Sequence, residues 1–402
     1  MMVASMGMRL KEVGSKPFRA EKLRYRLFWF LIITFILVSY AMRGLIAPWS
    51  YGYFTYSFNW LEGGYIARGL FGTVIQLIVG KNLAYSDTFL TALQYIFAWA
   101  MIVYLVYVCY RLILKHGNLY CGILLLIYST STFNMFYMAE IGFTDHVAFF
   151  LVAVAVEICI HCNPRTCIIW CAILAPVSVL ILNTAAFSCC PIFASLALLK
   201  TVHTENKLSI KRFFVIALSF IPTVVLVGAS SFMSSSEIAW NNYISELSKH
   251  EYFDQGLATY LTDCWFTPVY ANFRMTWLYF EPAVFMYSAV FIVLTVYFLI
   301  FAADESRHTV IWFAVLAAAS CFVGYAEIYF ASDFHRYYFD AVFSVVMLSI
   351  FMMRLNEDKY MNVGRSLGAA IVSAACLAPF FKYRLWIWNR VYNDFWFMSF
   401  FR

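Results

Sequence analysis

Charge is scarce in this chain. Only 12% of its 402 residues are Asp, Glu, Lys or Arg, while 63% are hydrophobic and 20% aromatic. A soluble domain carries about twice that share of charge. The charges that exist fall between apolar runs of about 20 residues, which excludes a soluble globular fold and predicts a polytopic membrane protein. Period-two alternation is missing too, so the spans are helices and not barrel strands. No internal repeat and no soluble domain is visible. A signal-cleavage site is also lacking. Residues 1–26 are rich in Lys and Arg, but the apolar run that follows is too long for a signal-peptide core and has no small-x-small motif. This segment reads as a signal anchor behind a cytoplasmic basic tail. The net charge of +6 is largely that tail, so it speaks to topology and not to nucleic acid.

Cysteines in polar surroundings are equally rare. Of the 11 cysteines, all but Cys264 fall in or beside apolar runs, which argues against an extracytoplasmic disulfide framework. Cys159, Cys162, Cys167 and Cys171 flank a short turn, "CIHCNPRTCIIWC". With His161 they imitate a zinc knuckle, but spacing alone favours four small apolar residues at two helix ends. No metal site is expected there.

What the chain does have is a series of apolar runs near 27–47, 88–113, 118–138, 146–161, 167–182, 186–200, 212–231, 283–303, 309–330, 338–354 and 367–381. They predict an all-α protein of about 11 transmembrane helices. Residues 66–80 form a further apolar stretch, better suited to a re-entrant or interfacial helix after the first span. Positive charge supports that choice. With 66–80 not crossing and the N-terminus inside, most of the 28 Lys and Arg residues fall on the inner side. These are the tail and the segments bearing Arg111, Arg165, Lys200, Arg212, Arg307 and Arg354. The organisation is then a basic tail at 1–26, one transmembrane domain over 27–381 with outer loops at 48–87 and 233–282, and an outer aromatic tail at 382–402.

The same assignment gathers the polar clusters on the outer face. Arg43, Glu62 with Arg68, Glu140 with Asp145 and His146, Asn183 with Thr184, Glu281 and "SDFHRYY" (332–338) all land there. An ionisable group at membrane depth costs about 2.5–3.5 kcal/mol even on the lenient insertion scale. Their convergence implies a polar cavity. In "FNWLEGGYIARGLFG" (58–72), Glu62 can take a proton from a hydroxyl and Arg68 can grip a phosphate bidentately. Gly63, Gly64, Gly69 and Gly72 would let backbone approach a bulky anion. The bland alternative is a Glu62–Arg68 ion pair pinning the loop, with the glycines serving helix packing. Asp145 opens a span, where the helix dipole favours an acid whatever its role. Asp333, His335, Arg336 and Tyr337 sit where a lipid-linked phosphate would meet the outer leaflet. The long outer loop adds Glu237, Glu246, Asp254, Asp263, Arg274, Trp240, Trp265 and Trp277, candidates for sugar contact or for a simple interfacial belt.

Three of these stretches resemble motifs of bacterial inner-membrane proteins related to GT-C glycosyltransferases and Wzy-type polysaccharide polymerases. Trp60 to Gly72 is similar to the early W-x-x-G-[YF]-x-x-R-G-L-x-G motif, with one extra residue before the glycine pair. Asp333-Phe334-His335-Arg336-Tyr337 resembles the late D-[FY]-x-R-[WY] motif. "GFTDHVAFFLV" resembles a mid-chain span opened by an acid, here Asp145. Where that class often carries a His-Glu pair, this chain has Asn183-Thr184. The resemblance implies a GT-C-like inner-membrane protein working on the periplasmic face. Its partners would be a polyprenyl-(di)phosphate-linked sugar donor, a glycan acceptor, membrane lipids and other polysaccharide-assembly proteins, with no nucleic acid. Glu62 or Asp145 would act as base. Arg68 and Arg336 would hold the phosphate, assisted by Asp333, His335, Tyr337, His146, Arg43 and Glu140. A divalent metal is compatible with such chemistry, but no acid pair has spacing diagnostic of one. The competing classes are a flippase for lipid-linked sugars and a membrane O-acyltransferase using His146.

Overall fold

The computed structural model describes residues 22–33, 55–65, 68–118, 144–230, 237–250, 306–326 and 334–355. It adds a few helical positions at 121–128 and 289–296, Glu357, and a short hairpin; at 334–338 the backbone alone is described. The first described helix covers 22–33. A 3-10 turn at Thr55–Ser57 then leads into α1 (Trp60–Gly63), α2 (Gly69–Val79) and α3 (Lys81–Ala84). The long α4 (Asp87–Cys109) runs into a π-helical turn at Tyr110–Lys115. Then follow α5 (Asp145–His161), α6 (Pro164–Ile181), α7 (Ala185–Ser188), α8 (Cys190–Glu205), α9 (Ile210–Ser219), α10 (Ile221–Ser230) and α11 (Glu237–Leu247). The set closes with α12 (Arg307–Ala326) and α13 (Phe334–Leu355).

Local chemistry sets several of these boundaries. The α5–α6 hairpin turns at Asn163, whose side chain accepts the Thr166 N–H, with Pro164 opening α6 where its missing N–H is not needed. Ser209 caps α9 by accepting the Arg212 N–H. Asn206 ends α8 in the left-handed conformation that suits a helix C-terminus. Pro222 lacks an N–H for helix propagation, and the apolar run breaks at Phe220 into α9 and α10.

Among the described residues, five segments are long and apolar enough to cross a membrane: Asp87–Lys115, Pro164–Ile181, Ala185–Glu205, Ile210–Ala229 and Arg307–Ala326. They match expected spans. α5 and α13 coincide with two more expected runs. α2 is an apolar helix of only 11 residues, too short to cross. The surface agrees with a lipid environment. Ile78, Ile96, Val103, Ile210, Val224 and Phe322 are all exposed, an apolar surface that water would not tolerate on this scale. The aromatic tail holds one unexpected element, a hairpin of β1 (Leu385–Ile387) and β2 (Arg390–Tyr392) with Trp386 opposite Val391.

α5, α8 and α13 form the buried centre, with α4, α6 and α12 around them. Small groups allow the close approaches. A Cβ on Gly324 of α12 would stand 3.3 Å from the Ala341 backbone of α13, and Ser195 and Ser320 hydroxyls meet at 3.0 Å between α8 and α12. α5 and α13 run parallel. Phe149 packs on Phe339 and Phe343 near one end, and Glu157 meets Arg354 near the other.

Polar groups separate accordingly. One end carries α1–α3, the α6–α7 turn and the first turns of α5 and α13. The opposite end carries the α5–α6 turn, Lys115, Lys200, Arg212 and a buried ion-pair network. There the fully enclosed Arg354 guanidinium binds Glu157 at 2.7 Å and also Glu357, which in turn meets Arg111 at 2.8 Å and His116 at 2.6 Å. Burial alone would raise the Glu357 carboxyl, but the Arg111, Arg354 and His116 charges outweigh it and hold the group below its ordinary range. The Arg24 side chain lies against Gly117 at this same end.

Candidate functional site

The site is built on the break between α1 and α2. Asn59 caps α1 by accepting the Glu62 N–H at 3.0 Å, and its amide donates to Ser57 O and to the Tyr85 hydroxyl. Gly64, with φ of 66°, then reverses the chain. Thr73 ties the two helices together: its hydroxyl accepts the Trp60 N–H at 2.8 Å and donates to Gly69 O at 2.6 Å.

This fold separates Glu62 from Arg68, so the ion pair given as the bland alternative does not form. Glu62 instead accepts from Gln76 Nε2 at 2.9 Å and the Tyr85 hydroxyl at 3.0 Å, and pairs with Lys81 Nζ at 3.1 Å. Lys81 also reaches Glu246 of α11 at 3.0 Å. The Glu246 and Glu62 carboxylates raise the Lys81 ammonium, so it stays charged. Lys249 and Lys81 together hold the Glu246 carboxyl down to about 2. Burial, reinforced by the Glu62 charge, pushes the Tyr85 phenol up and keeps it a donor. His250 stacks on the Tyr85 ring at 5.2 Å.

Sequence reasoning missed Gln76, Lys81 and Tyr85 as partners. The signal was one helix away: a Gln and a Lys placed 14 and 19 residues beyond the acid. Glu246, one of the loop residues weighed for sugar contact or an interfacial belt, is committed to two lysines. Trp240 is buried against Tyr243, so its ring offers no open face for a sugar.

The glycines are packing residues where they can be tested. A Cβ on Gly69 would fall 2.3 Å from the Trp60 indole nitrogen, and one on Gly72 only 2.1 Å from Phe58 O. Both spaces are filled by the protein itself, which overturns the expectation that they leave room for a ligand.

Arg68 is different. It occupies the left-handed region, with φ 68° and ψ 9°, immediately before α2. For a residue with a Cβ that conformation costs on the order of 1 kcal/mol. Its Nε donates to Asn183 Oδ1 at 3.3 Å, which joins the 58–72 loop to the α6–α7 turn. Among the described residues it forms no ion pair, unlike Lys81 and Arg354. α2 begins directly behind it, and the Arg68 side chain does not cap that helix.

Asp145 and His146 lie in the first turn of α5 and are buried. Phe149, one turn on, stacks against Phe339 and Phe343. Asp340, a buried acid that the sequence reading passed over, therefore shares their layer. Its signal was its place one turn after Arg336. His335, Arg336 and Tyr337 are placed by the helical backbone at the start of α13. Arg43, Glu140, Asp333, Asp254, Asp263, Arg274, Glu281, Trp265 and Trp277 lie outside the described residues.

Comparison with known proteins adds nothing to this geometry: no family profile, curated protein or solved structure matches the chain.

Proposed function

We propose that the chain is a GT-C-like membrane glycosyltransferase of bacterial surface-polysaccharide assembly, with about 11 spans, an inner-membrane location and the N-terminus in the cytoplasm. Its donor is a sugar on a polyprenyl (di)phosphate and its acceptor a glycan hydroxyl at the periplasmic face. It acts as a polysaccharide polymerase or as a side-branch transferase. The observation that carries this reading is Arg68: a strained cation with no carboxylate partner among the described residues, positioned by Asn183 at the end where acids gather. Strain retained at one residue suggests that its side chain is needed there.

In this reading Arg68 binds the lipid phosphate and stabilises the negative charge that grows as the glycosidic bond breaks. Arg336 opens α13 at the same end and supplies a second cation. The acceptor hydroxyl attacks the anomeric carbon and loses its proton to a carboxylate. Glu62 is poorly suited to that task, because Gln76, Tyr85 and Lys81 already occupy its oxygens. Asp145 is the better base, and Glu62 positions the loop. The flippase alternative would want charge near the bilayer midplane. The described ionisable groups sit at the two ends of the bundle instead, which favours the enzyme.

Arg68→Gly separates function from folding. Glycine adopts the left-handed conformation without penalty, so the variant keeps or slightly gains thermal stability, yet transfer falls at least tenfold. Asp145→Asn inserts normally and loses transfer more severely than Glu62→Gln. The assay is incorporation of labelled sugar into glycan by membranes, with glycan profiling of a deletion strain. Isolated repeat units indicate a polymerase, and full-length chains lacking one branch sugar a side-branch transferase. Full activity in Arg68→Gly, or an unchanged glycan in the deletion strain, rules the reading out.

A further inference from the structure

The α5–α6 hairpin, at the end opposite Arg68, brings three thiols together. Cys159 lies near the end of α5, and Cys167 and Cys171 lie four residues apart on α6, hence on one helix face. All three are buried, and their sulfurs lie within 4.8 Å of one another. Cys159 and Cys171 stand 3.5 Å apart. Four sulfurs around zinc, with Zn–S bonds of about 2.3 Å, lie about 3.8 Å from each other. The three thiols therefore need their separations to change by about 1 Å at most to share one ion.

We propose that Cys159, Cys167 and Cys171 form a thiolate site for a divalent, zinc-type ion that fixes the α5–α6 hairpin, independently of the glycosyltransferase reading. Cys162 sits in the turn, within electrostatic reach of Cys167 but outside the three-sulfur group. Spacing alone made this group four small apolar residues. The fold changes that, because it brings the three sulfurs of two helices together, with Cys159 and Cys171 in direct contact. Charge also balances. Three thiolates and a divalent ion sum to one negative charge, and the Lys200 ammonium lies within electrostatic reach of Cys159 and Cys167. Lys200 is fixed by donating to Ile160 O at 3.0 Å, the carbonyl next to Cys159. A buried anionic centre needs such a partner. Binding deprotonates each thiol: the S–H bond is exchanged for a sulfur–metal bond and the proton leaves to water, with no redox change.

The test uses the full-length chain in detergent. Elemental analysis of protein from zinc-supplemented cells is expected to give about one zinc per chain. Cobalt exchange should add a sulfur-to-cobalt charge-transfer band in the near ultraviolet. Cys159→Ser and Cys171→Ser should lose the metal and the band, whereas Cys321→Ser, which changes a buried cysteine outside the cluster, should keep both. A second measurement on the unaltered chain covers variants that fail to fold. Alkylation by N-ethylmaleimide should spare the three thiols until phenanthroline removes the metal, and the removal should lower the melting temperature. Absence of zinc and of the cobalt band overturns the proposal. So does zinc retained undiminished in Cys171→Ser, which would mark an adventitious ion only.

Discussion

Two arginines in this molecule meet opposite fates. Arg354 is enclosed, with Glu157 at 2.7 Å, Glu357 beside it and the Tyr107 ring 5.3 Å away. Withdrawing a guanidinium from water costs several kcal/mol, and only well-placed carboxylates offset that. Removing Glu157 leaves Arg354 with Glu357 as its only carboxylate among the described residues, so Glu157→Ala is expected to destabilise the protein by about 3 kcal/mol, the low end for breaking a buried pair. The double variant Glu157→Leu/Arg354→Met replaces the pair with apolar volume and should recover much of that loss. Denaturant titration in a fixed detergent checks it, and equal losses in the single and double variants would show that the ion pair is not what the single change disrupts. Among the described residues Arg68 has no carboxylate partner, and it sits strained at the opposite end. Carboxylate pairing accounts for the first arginine, and the proposed phosphate ligand would account for the second.

At the scale of elements, the α1–α2 corner depends on the absence of a methyl group. Gly72 backs onto the Phe58 and Tyr56 carbonyls, where a Cβ would stand 2.1 and 2.7 Å from main-chain oxygen. Backbone on both sides cannot yield cheaply, so Gly72→Ala must push α2 away from 55–59. The expected cost is about 1–3 kcal/mol, the usual range for overpacking. Gly80 is the control. Its φ of 81° disfavours alanine, but a Cβ there meets nothing within 4 Å, so Gly80→Ala should cost only about 1 kcal/mol. Thermal aggregation in detergent should rank Gly72→Ala as the less stable of the two; the reverse order would refute the close-packing account. This corner also shows what could be read in advance. The spans were legible because continuous apolar runs have a length and little else to mean, and α4, α6 and α12 fall close to the expected bounds. The corner was legible as a break but not in its contacts. Glu62 chooses Lys81, Gln76 and Tyr85 over the nearer Arg68 because Gly64 and the left-handed Arg68 turn the chain between them. No periodicity encodes such a turn. The Cys159–Cys171 convergence was hidden for the same reason, since spacing says nothing of how two helices face each other.

At the scale of the whole molecule, the two ends carry different chemistry, and the helix directions make that arrangement self-consistent. α4 and α5 run from the Glu62 end to the Arg354 end, α6 returns, α8 descends again, and the α9–α10 pair and α12 climb back before α13. Each reversal puts its Lys and Arg at one end: Arg165 at the α5–α6 turn, Lys207 before α9 and Lys211 in its first turn, Arg307 at the start of α12. The positive-inside rule then assigns the Arg354 end to the cytoplasm and the Glu62 end to the other side. That orientation is a proposal, and it rests on α2 not crossing. At 11 residues α2 spans about 16 Å, half of a hydrocarbon core of about 30 Å. Were α2 to cross, every later loop would change sides, and the basic segments would face outward together with the Cys159–Cys171 hairpin. Alkaline phosphatase inserted in the full chain reports the side directly, because it is active only beyond the inner membrane. Insertions after Ser86 and Asn183 should be active, and insertions after Asn163 and Asn206 inactive. Activity at Asn163 with none at Asn183 would reverse the bundle. It would also place Arg68 on the cytoplasmic side, away from any glycan acceptor outside, and so remove the proposed reaction together with the topology.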